Sequence, residues 1–255
     1  MKISIVTITY NSVSTVENCI SSINEQTFKD IDYVVVDGSS TDGTLDLLKK
    51  NSKYISTLIS QPDNGIYDAM NKGIGLAKGD IIGFLNSDDF YVNNQIIDRV
   101  AKVFSKDPLV EACYADLIYV DQKNTSKVIR YWQSNKFKSG DFLKGWSPPH
   151  PTFFVRSSIY KRYGNFNLNY KYASDVELMM RLMEVYKIRV EYIPEIWVKM
   201  RTGGVSNKNL RNILIQNQEV LHALRAYKLP VNTIIFLINK IISRFQQFLK
   251  KPNIL

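Results

Sequence analysis

The chain reads as an α/β protein, a mainly parallel, doubly wound sheet followed by a C-terminal helical extension. Three observations carry that reading. Through the first 110 residues, apolar β-branched runs alternate with segments of helical spacing, the order that parallel strands with crossover helices require. The runs are apolar along their whole length, as expected of strands covered on both faces. Hydrophobic residues make up 45% of the 255, with only 8 Pro and 12 Gly. A sizeable core is therefore available, and a disordered or low-complexity chain is excluded.

The elements follow in order. Residues 3–9 (ISIVTIT) are the first strand. Residues 13–26 place Val13, Val16, Ile20 and Ile23 on one helical face. Residues 32–37 (DYVVVD) are a second buried strand, and 41–50 open with Thr and Asp before continuing as a helix. Residues 54–60 form a third strand, and 66–78 a helix that ends at the Gly79-Asp80 turn. Residues 80–85 (DIIGFL) form a fourth strand, running into Asn86-Ser87-Asp88-Asp89 and a helix that starts near Asn93. The second half is less regular. Strands are predicted at 110–120 and 127–132 around the turn DQKNTS, at 152–155, and separately at 188–192 and 196–200; a helix covers 174–186. A helix over 210–227, a break at Pro230 and a last helix over 232–251 complete the chain. The main boundary falls near 203–207, giving one domain over 1–205, with halves of about 1–110 and 111–205, and an extension over 206–255.

Charge and cysteine usage narrow the function classes. From Val205 onward there are eight Lys/Arg against one acid, so seven of the nine net positive charges belong to the tail. A nucleic-acid binder would spread its basic character over the main domain, and nucleic acid is not expected as a partner. Cys19 and Cys113 are the only cysteines. They supply neither a disulfide framework nor a Cys/His metal spacing. The beginning, MKISIVTITY, is too short and too polar for a signal peptide, so a reducing, cytoplasmic setting is expected.

Ligands of open parallel sheets bind at the carboxyl ends of the strands. Here those ends carry Thr9-Tyr10-Asn11, Asp37-Gly38-Ser39-Ser40, Gln61-Pro62-Asp63-Asn64-Gly65 and Asn86-Ser87-Asp88-Asp89. In the last of these, two adjacent carboxylates repel unless positive charge lies beside them. A hard divalent cation, Mg²⁺ or Mn²⁺, would satisfy them and hold a diphosphate; a polar turn capping the next helix is the other reading. No GxxxxGK[ST] loop is present and no GxGxxG follows the first strand, so neither a P-loop nor a dinucleotide site is indicated.

Together, IVTITYN, VVDGSSTDGT, DNGIYDAMNKGI, FLNSDD, HPTFF and ASDVELMMRL, in this order, resemble the family-two glycosyltransferases. The likeness covers about residues 1–206, and GIYDAMNKG resembles a subgroup that builds bacterial surface polysaccharides. The resemblance implies a Rossmann-like, mainly parallel sheet of the A-type glycosyltransferase fold and inverting, metal-dependent sugar transfer. The donor would be a nucleotide-sugar, a UDP-sugar first, and the acceptor a lipid-diphosphate-linked or oligosaccharide chain of O-antigen, capsule or exopolysaccharide.

Carried onto this chain, Asp37 would accept from the uracil imide, and Thr9, Tyr10 and Asn11 would line the base and ribose. Asp68 and Asn71 would lie near the nucleoside. Asp88 would bind the metal as the later acid of the family's Asp-x-Asp motif, with Ser87 and Asp89 beside the donor. The first acid of that motif is Asn86 here; its amide still accepts from ribose hydroxyls, and a GDP-sugar stays open. Asp175 would be the catalytic base, with Ser174 where the family carries Glu, and Glu177 as the fallback. Asp175 also reads as an acid in the first turn of a helix, where it complements the dipole. His150 and Trp146 are acceptor-side candidates; a hydrogen-bonded loop histidine and a buried indole are the plainer readings. Arg201-Thr202-Gly203-Gly204-Val205-Ser206 resembles the family's GGxS close, whose backbone N–H groups approach a diphosphate.

The tail has its own pattern. On a helix over 232–251, Ile234, Ile235, Leu237, Ile238, Ile241, Ile242, Phe245, Phe248 and Leu249 share one side and the polar residues the other, with Phe236 out of place. No stretch is long enough to span a bilayer. A basic amphipathic helix lies in the interface, which predicts peripheral contact with the inner face of the plasma membrane through residues 232–251. Packing on the main domain, or on a second copy in a homodimer, is the competing reading. Among rival functions, a non-catalytic nucleotide-sugar or polysaccharide binder on this fold is opposed by Asp88 and Asp175. A nucleotidyltransferase is opposed by TYNSVST after the first strand, where a Gly-rich basic loop belongs.

Overall fold

A computed structural model describes residues 1–203, 210–250 and 252. Nine strands form one sheet: β1 (Ile3–Thr9), β2 (Ile31–Asp37), β3 (Thr57–Ser60), β4 (Ile81–Phe84), β5 (Phe90–Tyr91), β6 (Ala112–Val120), β7 (Val128–Trp132), β8 (Phe154–Arg156) and β9 (Val190–Arg201). The helices are α1 (Val16–Asn24), α2 (Thr44–Lys50), α3 (Ile66–Leu76), α4 (Ile96–Lys106), α5 (Ser157–Tyr163), α6 (Ser174–Met180), α7 (Leu210–Ala226) and α8 (Thr233–Leu249).

The strand order is β3-β2-β1-β4-β8-β6-β9-β5, with β7 on the free part of β6's edge. The first four strands are parallel, as their separation by α1, α2 and α3 dictates. Every residue of β1 and β4 is buried, because helices cover both faces. Odd and even positions of β1 and β2 enter different apolar layers. Val6, Val34 and Val36 join Met70 and Phe84 on one side; Ile5, Tyr33 and Val35 join Val16, Ile20 and Phe104 on the other.

Beyond β4 the sheet becomes mixed. β8 runs antiparallel to both β4 and β6, while β6 and β9 are parallel. Gly83 makes the β4–β8 junction possible, since a Cβ there would sit 2.3 Å from the Phe154 ring. The two strands expected at 188–192 and 196–200 are one strand. Pro194 and Glu195 form a bulge in it, the register with β6 skipping from Ile193 to Ile196, and a bulge is where a strand tolerates proline. The short β5 and the helix α5 were not expected, being too brief for a periodic signal. Helix α6 passes into a π-turn over Arg181–Val185.

The extension packs into the main body. Val220, Leu221 and Leu224 of α7 and Phe236 of α8 share a core with Tyr114 and Phe142. Past Gly203, the boundary expected near 203–207 and the Gly204-Val205-Ser206 part of the GGxS-like close lie outside the described residues, as does Lys251. Both cysteines are buried and free. Among the described residues, no helix is long and apolar enough to cross a membrane.

Candidate functional site

The register of the parallel strands sets Thr9 beside Asp37 and Asp37 beside Ser60. Asp37 is fully buried. Its carboxylate accepts from the Ser40 N–H (3.0 Å), the Ser40 hydroxyl (2.5 Å) and the Ser60 hydroxyl (2.6 Å). These donors hold an anion at the floor of the sheet edge. Asn11 (φ 49°) and Ser39 (φ 64°) turn the chain in the left-handed region at adjacent strand ends, a conformation non-glycine residues adopt rarely and often at functional sites. The two turns are tied together: Asn11 N–H donates to the Ser40 hydroxyl, and Asn11 Oδ1 accepts from Thr41 N–H.

Gly38 leaves a shallow cradle. A Cβ there would lie 2.5 Å from Asp63 Oδ2 and 3.3 Å from the Tyr10 ring. Tyr10 is 64% exposed, and the buried Thr9 hydroxyl has no partner. A planar ring can therefore stack at the rim while polar groups wait at the floor. Asp68 accepts from Asn64 N–H and pairs with Lys72 at 3.2 Å; the Asn64 bond and then the lysine lower its carboxyl below the usual value. Asn71 donates to Phe166 O and accepts from Phe166 N–H, both at 2.9 Å. Expected near the nucleoside, its amide instead clamps α3 to the segment before α6.

The end of β4 gathers uncompensated negative charge. Asp89 is fully buried; one oxygen accepts from Arg201 N–H at 3.3 Å, and Oδ2 has no partner. Asn86 Oδ1 is likewise buried without a partner. Burial raises the Asp88 carboxyl above its ordinary value. Burial, and then the neighbouring Asp88, raise that of Asp89 well above it. Arg201 offsets this only in part, because its guanidinium donates to the Asp88 carbonyl (2.6 Å) and lies over the Phe90 ring. Ser87 bonds to the Ser12 hydroxyl at 2.9 Å, tying the β4 end to the β1 end.

Two desolvated carboxylates with an orphaned oxygen suit a hard divalent cation. Among the described residues no group of three or more His, Cys, Asp or Glu could form a closed cage.

Asp175 opens α6, half-buried, and accepts from the Tyr67 hydroxyl at 2.9 Å. Tyr67 lies in the first turn of α3, just past the carboxyl end of β3, so this bond brings Asp175 to the strand-end side. The backbone before it is rigid, since the N–H groups of Lys171, Tyr172 and Ala173 all donate to the Glu219 carboxylate of α7. Glu177 does not serve as the fallback base. It is 1% exposed, paired with Arg181 at 2.9 Å and bonded to the Tyr227 hydroxyl.

His150 is buried between the Phe84 and Phe166 rings. Burial lowers its imidazole, against the pull of Asp175, and so keeps it neutral. Trp146 belongs to an aromatic cluster with Tyr114, Phe137 and Phe142, though its indole N–H has no partner. Tyr67 and Glu219 were missed in the sequence. Each acts on a residue distant in sequence or on a main-chain turn, and no short-range spacing signals that.

The chain matches the family model described as "Glycosyl transferase family 2" over residues 4–164. A PGL/p-HBAD biosynthesis glycosyltransferase of Mycobacterium bovis is 29% identical, covering 94% of this chain and 92% of that protein. An uncharacterized glycosyltransferase of Rickettsia typhi is 26% identical, covering 86% and 70%. Among solved structures, S. aureus TarS 1–349 in complex with UDP-GlcNAc superposes with a TM-score of 0.69 at 17% identity, over 96% of this chain and 73% of that one. The mannosyltransferase PcManGT from Pyrobaculum calidifontis, in complex with GDP-Man and Mn²⁺, does so with a TM-score of 0.66 at 17% identity, over 95% and 73%. At that identity the likeness is one of fold, the A-type glycosyltransferase architecture.

Proposed function

Because the chain belongs to glycosyl transferase family 2, we propose that it is an inverting transferase that moves a sugar from a UDP-sugar to a lipid-linked or saccharide acceptor in surface-polysaccharide assembly. The observation that carries this reading is the pairing of two unlike acidic sites. Asp89, fully buried, and the partly buried Asp88 form an undercompensated pair beside Asn86, while Asp175 stands apart, partly exposed and oriented by Tyr67. The first suits a diphosphate held through a divalent cation; the second suits an acceptor hydroxyl.

Tyr10, over Gly38, offers its ring to the base, and Asp37, held by Ser40 and Ser60, accepts from the base edge. Arg201 and the Asp88–Asp89 turn lie at the diphosphate. Asp88, with Asp89 beside it, would hold a divalent cation, which would offset the charge growing on the leaving diphosphate. Asp175 takes the proton from the acceptor hydroxyl as that oxygen attacks the anomeric carbon. The bond from that carbon to the diphosphate oxygen breaks, its electron pair leaves with the nucleotide, and the attack from the opposite face inverts the centre. His150, kept neutral, closes the apolar wall beside Asp175 and excludes water.

The UDP choice is supported by the UDP-GlcNAc complex of TarS; the GDP-Man and Mn²⁺ complex of PcManGT supports the metal and makes GDP-sugars the comparison. Peripheral membrane contact is supported by α8, whose nine outward apolar residues are each at least 37% exposed. Monomeric soluble proteins rarely leave such a patch uncovered.

The test is nucleotide release from a panel of UDP- and GDP-sugars, with Mn²⁺, with Mg²⁺ and with chelator, in wild type and Asp88→Ala. Release from one UDP-sugar that needs both metal and Asp88 is expected. Neither release nor donor binding across the panel would leave the non-catalytic binder as the better reading.

A further inference from the structure

Helix α3 gives two neighbouring stripes to different partners. Asp68 and Lys72, one turn apart, pair with each other at 3.2 Å, and Asp68 also accepts from Asn64 N–H. Tyr67 and Asn71, one turn apart on the adjacent stripe, reach instead to the half of the molecule that carries Asp175. The helix that presents them is set tightly on the sheet. A Cβ on Gly73 would lie 2.3 Å from the Val6 side chain of β1.

Asn71 satisfies both backbone groups of Phe166 at 2.9 Å each. The Phe166 ring is thereby fixed, and it is boxed on three sides. Tyr67 stacks on it with centroids 5.6 Å apart, while Phe84 and His150 meet it edge-on at 5.3 and 5.7 Å. The Tyr67 ring, itself buried, is left one place for its hydroxyl, which donates to Asp175 Oδ1 at 2.9 Å. Asp175 Oδ2 makes no hydrogen bond among the described residues. The carboxylate is held by one oxygen and open at the other. Burial, and then the Asp175 charge, raise the Tyr67 phenol well above its ordinary value, so it remains a donor.

A general base must keep hydrogen-bond reach of the proton it removes, and a small misplacement of a reacting group costs much of the rate. We propose that Tyr67 and Asn71 are positioning residues for the reaction: Tyr67 holds Oδ1 of Asp175 so that Oδ2 takes the acceptor proton, and Asn71 fixes, through Phe166, the ring on which Tyr67 stacks. This rests on the transferase reading above and deepens it. Two side chains of the GIYDAMNKG segment thus serve the base rather than the nucleotide.

Nucleotide release from the donor UDP-sugar and calorimetry with UDP, on the full chain, test it. Tyr67→Phe keeps the ring and its stack; it should lower kcat about 10- to 10²-fold with UDP affinity unchanged. Asn71→Ala should lower kcat about tenfold, again with UDP affinity unchanged. In the Asp175→Asn background, Tyr67→Phe should cost nothing more, because the group it positions is gone. The carboxyl of Asp175, followed by ¹³C-aspartate spectra and assigned by its loss in Asp175→Asn, should titrate at a higher pH in Tyr67→Phe, since the lost bond favours the ionised form. The titratable groups whose charge reaches this pair, His150, Glu219 and Lys240, are the same in every variant.

Full release by Tyr67→Phe, an unmoved titration, or a further loss on Asp175→Asn would overturn the role of Tyr67. Unchanged kcat in Asn71→Ala, or weaker UDP binding by it, would overturn that of Asn71, and weaker binding would return it to the nucleoside. Near-normal release by Asp175→Asn removes the base and this inference with it while transfer stands. Neither release nor UDP binding by wild type refutes the transferase reading itself.

Discussion

Two acids two residues apart on one helix illustrate how environment assigns roles. Asp175 is half-exposed with one hydroxyl donor, and Glu177 is buried on an arginine. Asp175→Asn should cut transfer by ~10²–10⁴, the usual contribution of a general base, with donor affinity unchanged by titration; near-normal turnover would remove Asp175 from the chemistry. Glu177→Ala should leave Arg181 buried without its carboxylate and cost ~3–5 kcal/mol, read by urea unfolding. His150 carries a pH dependence. Burial holds its folded value below 6.5, so the unfolded chain takes the proton first. Stability from this group is complete above about pH 6.5 and falls as the pH drops below it. The urea-midpoint difference between wild type and His150→Asn should therefore shift against wild type from about pH 7.5 to about pH 5; parallel pH profiles would contradict this.

At the scale of elements, α8 is the case where pattern and packing diverge. Its helical wheel is legible in the sequence, Phe236 included as the exception. That exception is the anchor, fully buried against Gly145, and Phe236→Ala should destabilise by ~3–5 kcal/mol. Ile241→Glu with Phe245→Glu, at residues 71% and 64% exposed, should change stability by less than about 1 kcal/mol yet abolish flotation with anionic vesicles. Flotation equal to wild type would refute the membrane face and favour a protein partner, which sedimentation would reveal. Of the competing readings in the sequence, packing on the main body holds through Phe236, while membrane contact through the exposed apolar face stays a proposal because the helix uses opposite sides for the two.

For the whole molecule, the decisive join is β4 against β8, where a parallel half with the nucleotide-type strand ends meets a mixed half carrying Asp175 and α8. Gly83 allows the Phe154 ring to lie across that join. Gly83→Ala, with its Cβ 2.3 Å from the ring, should overpack the junction and cost ~1–3 kcal/mol, seen as a lowered Tm; an unchanged Tm would mean the join is loose. The halves approach the same edge through side chains far apart in sequence, such as Tyr67 on Asp175 and Asn71 on the Phe166 backbone.

The parallel half was readable because its signals are local. Continuous apolar runs, helical spacing between them and polar residues at each strand end follow from backbone geometry within a few residues, and so the strand-end group Thr9, Asp37 and Asp88 was in view at once. The mixed half was not. Pro194 hides one strand as two, β5 and α5 are too short to show a period, and the antiparallel pairings other than β6 with β7 join residues 41 to 109 positions apart. Which acid is free and which is neutralised, which amide is a clamp, and which side of α8 faces the protein depend on partners that meet only when the sheet closes. Desolvation and ion pairing act through space, and the order of residues along the chain does not contain those distances.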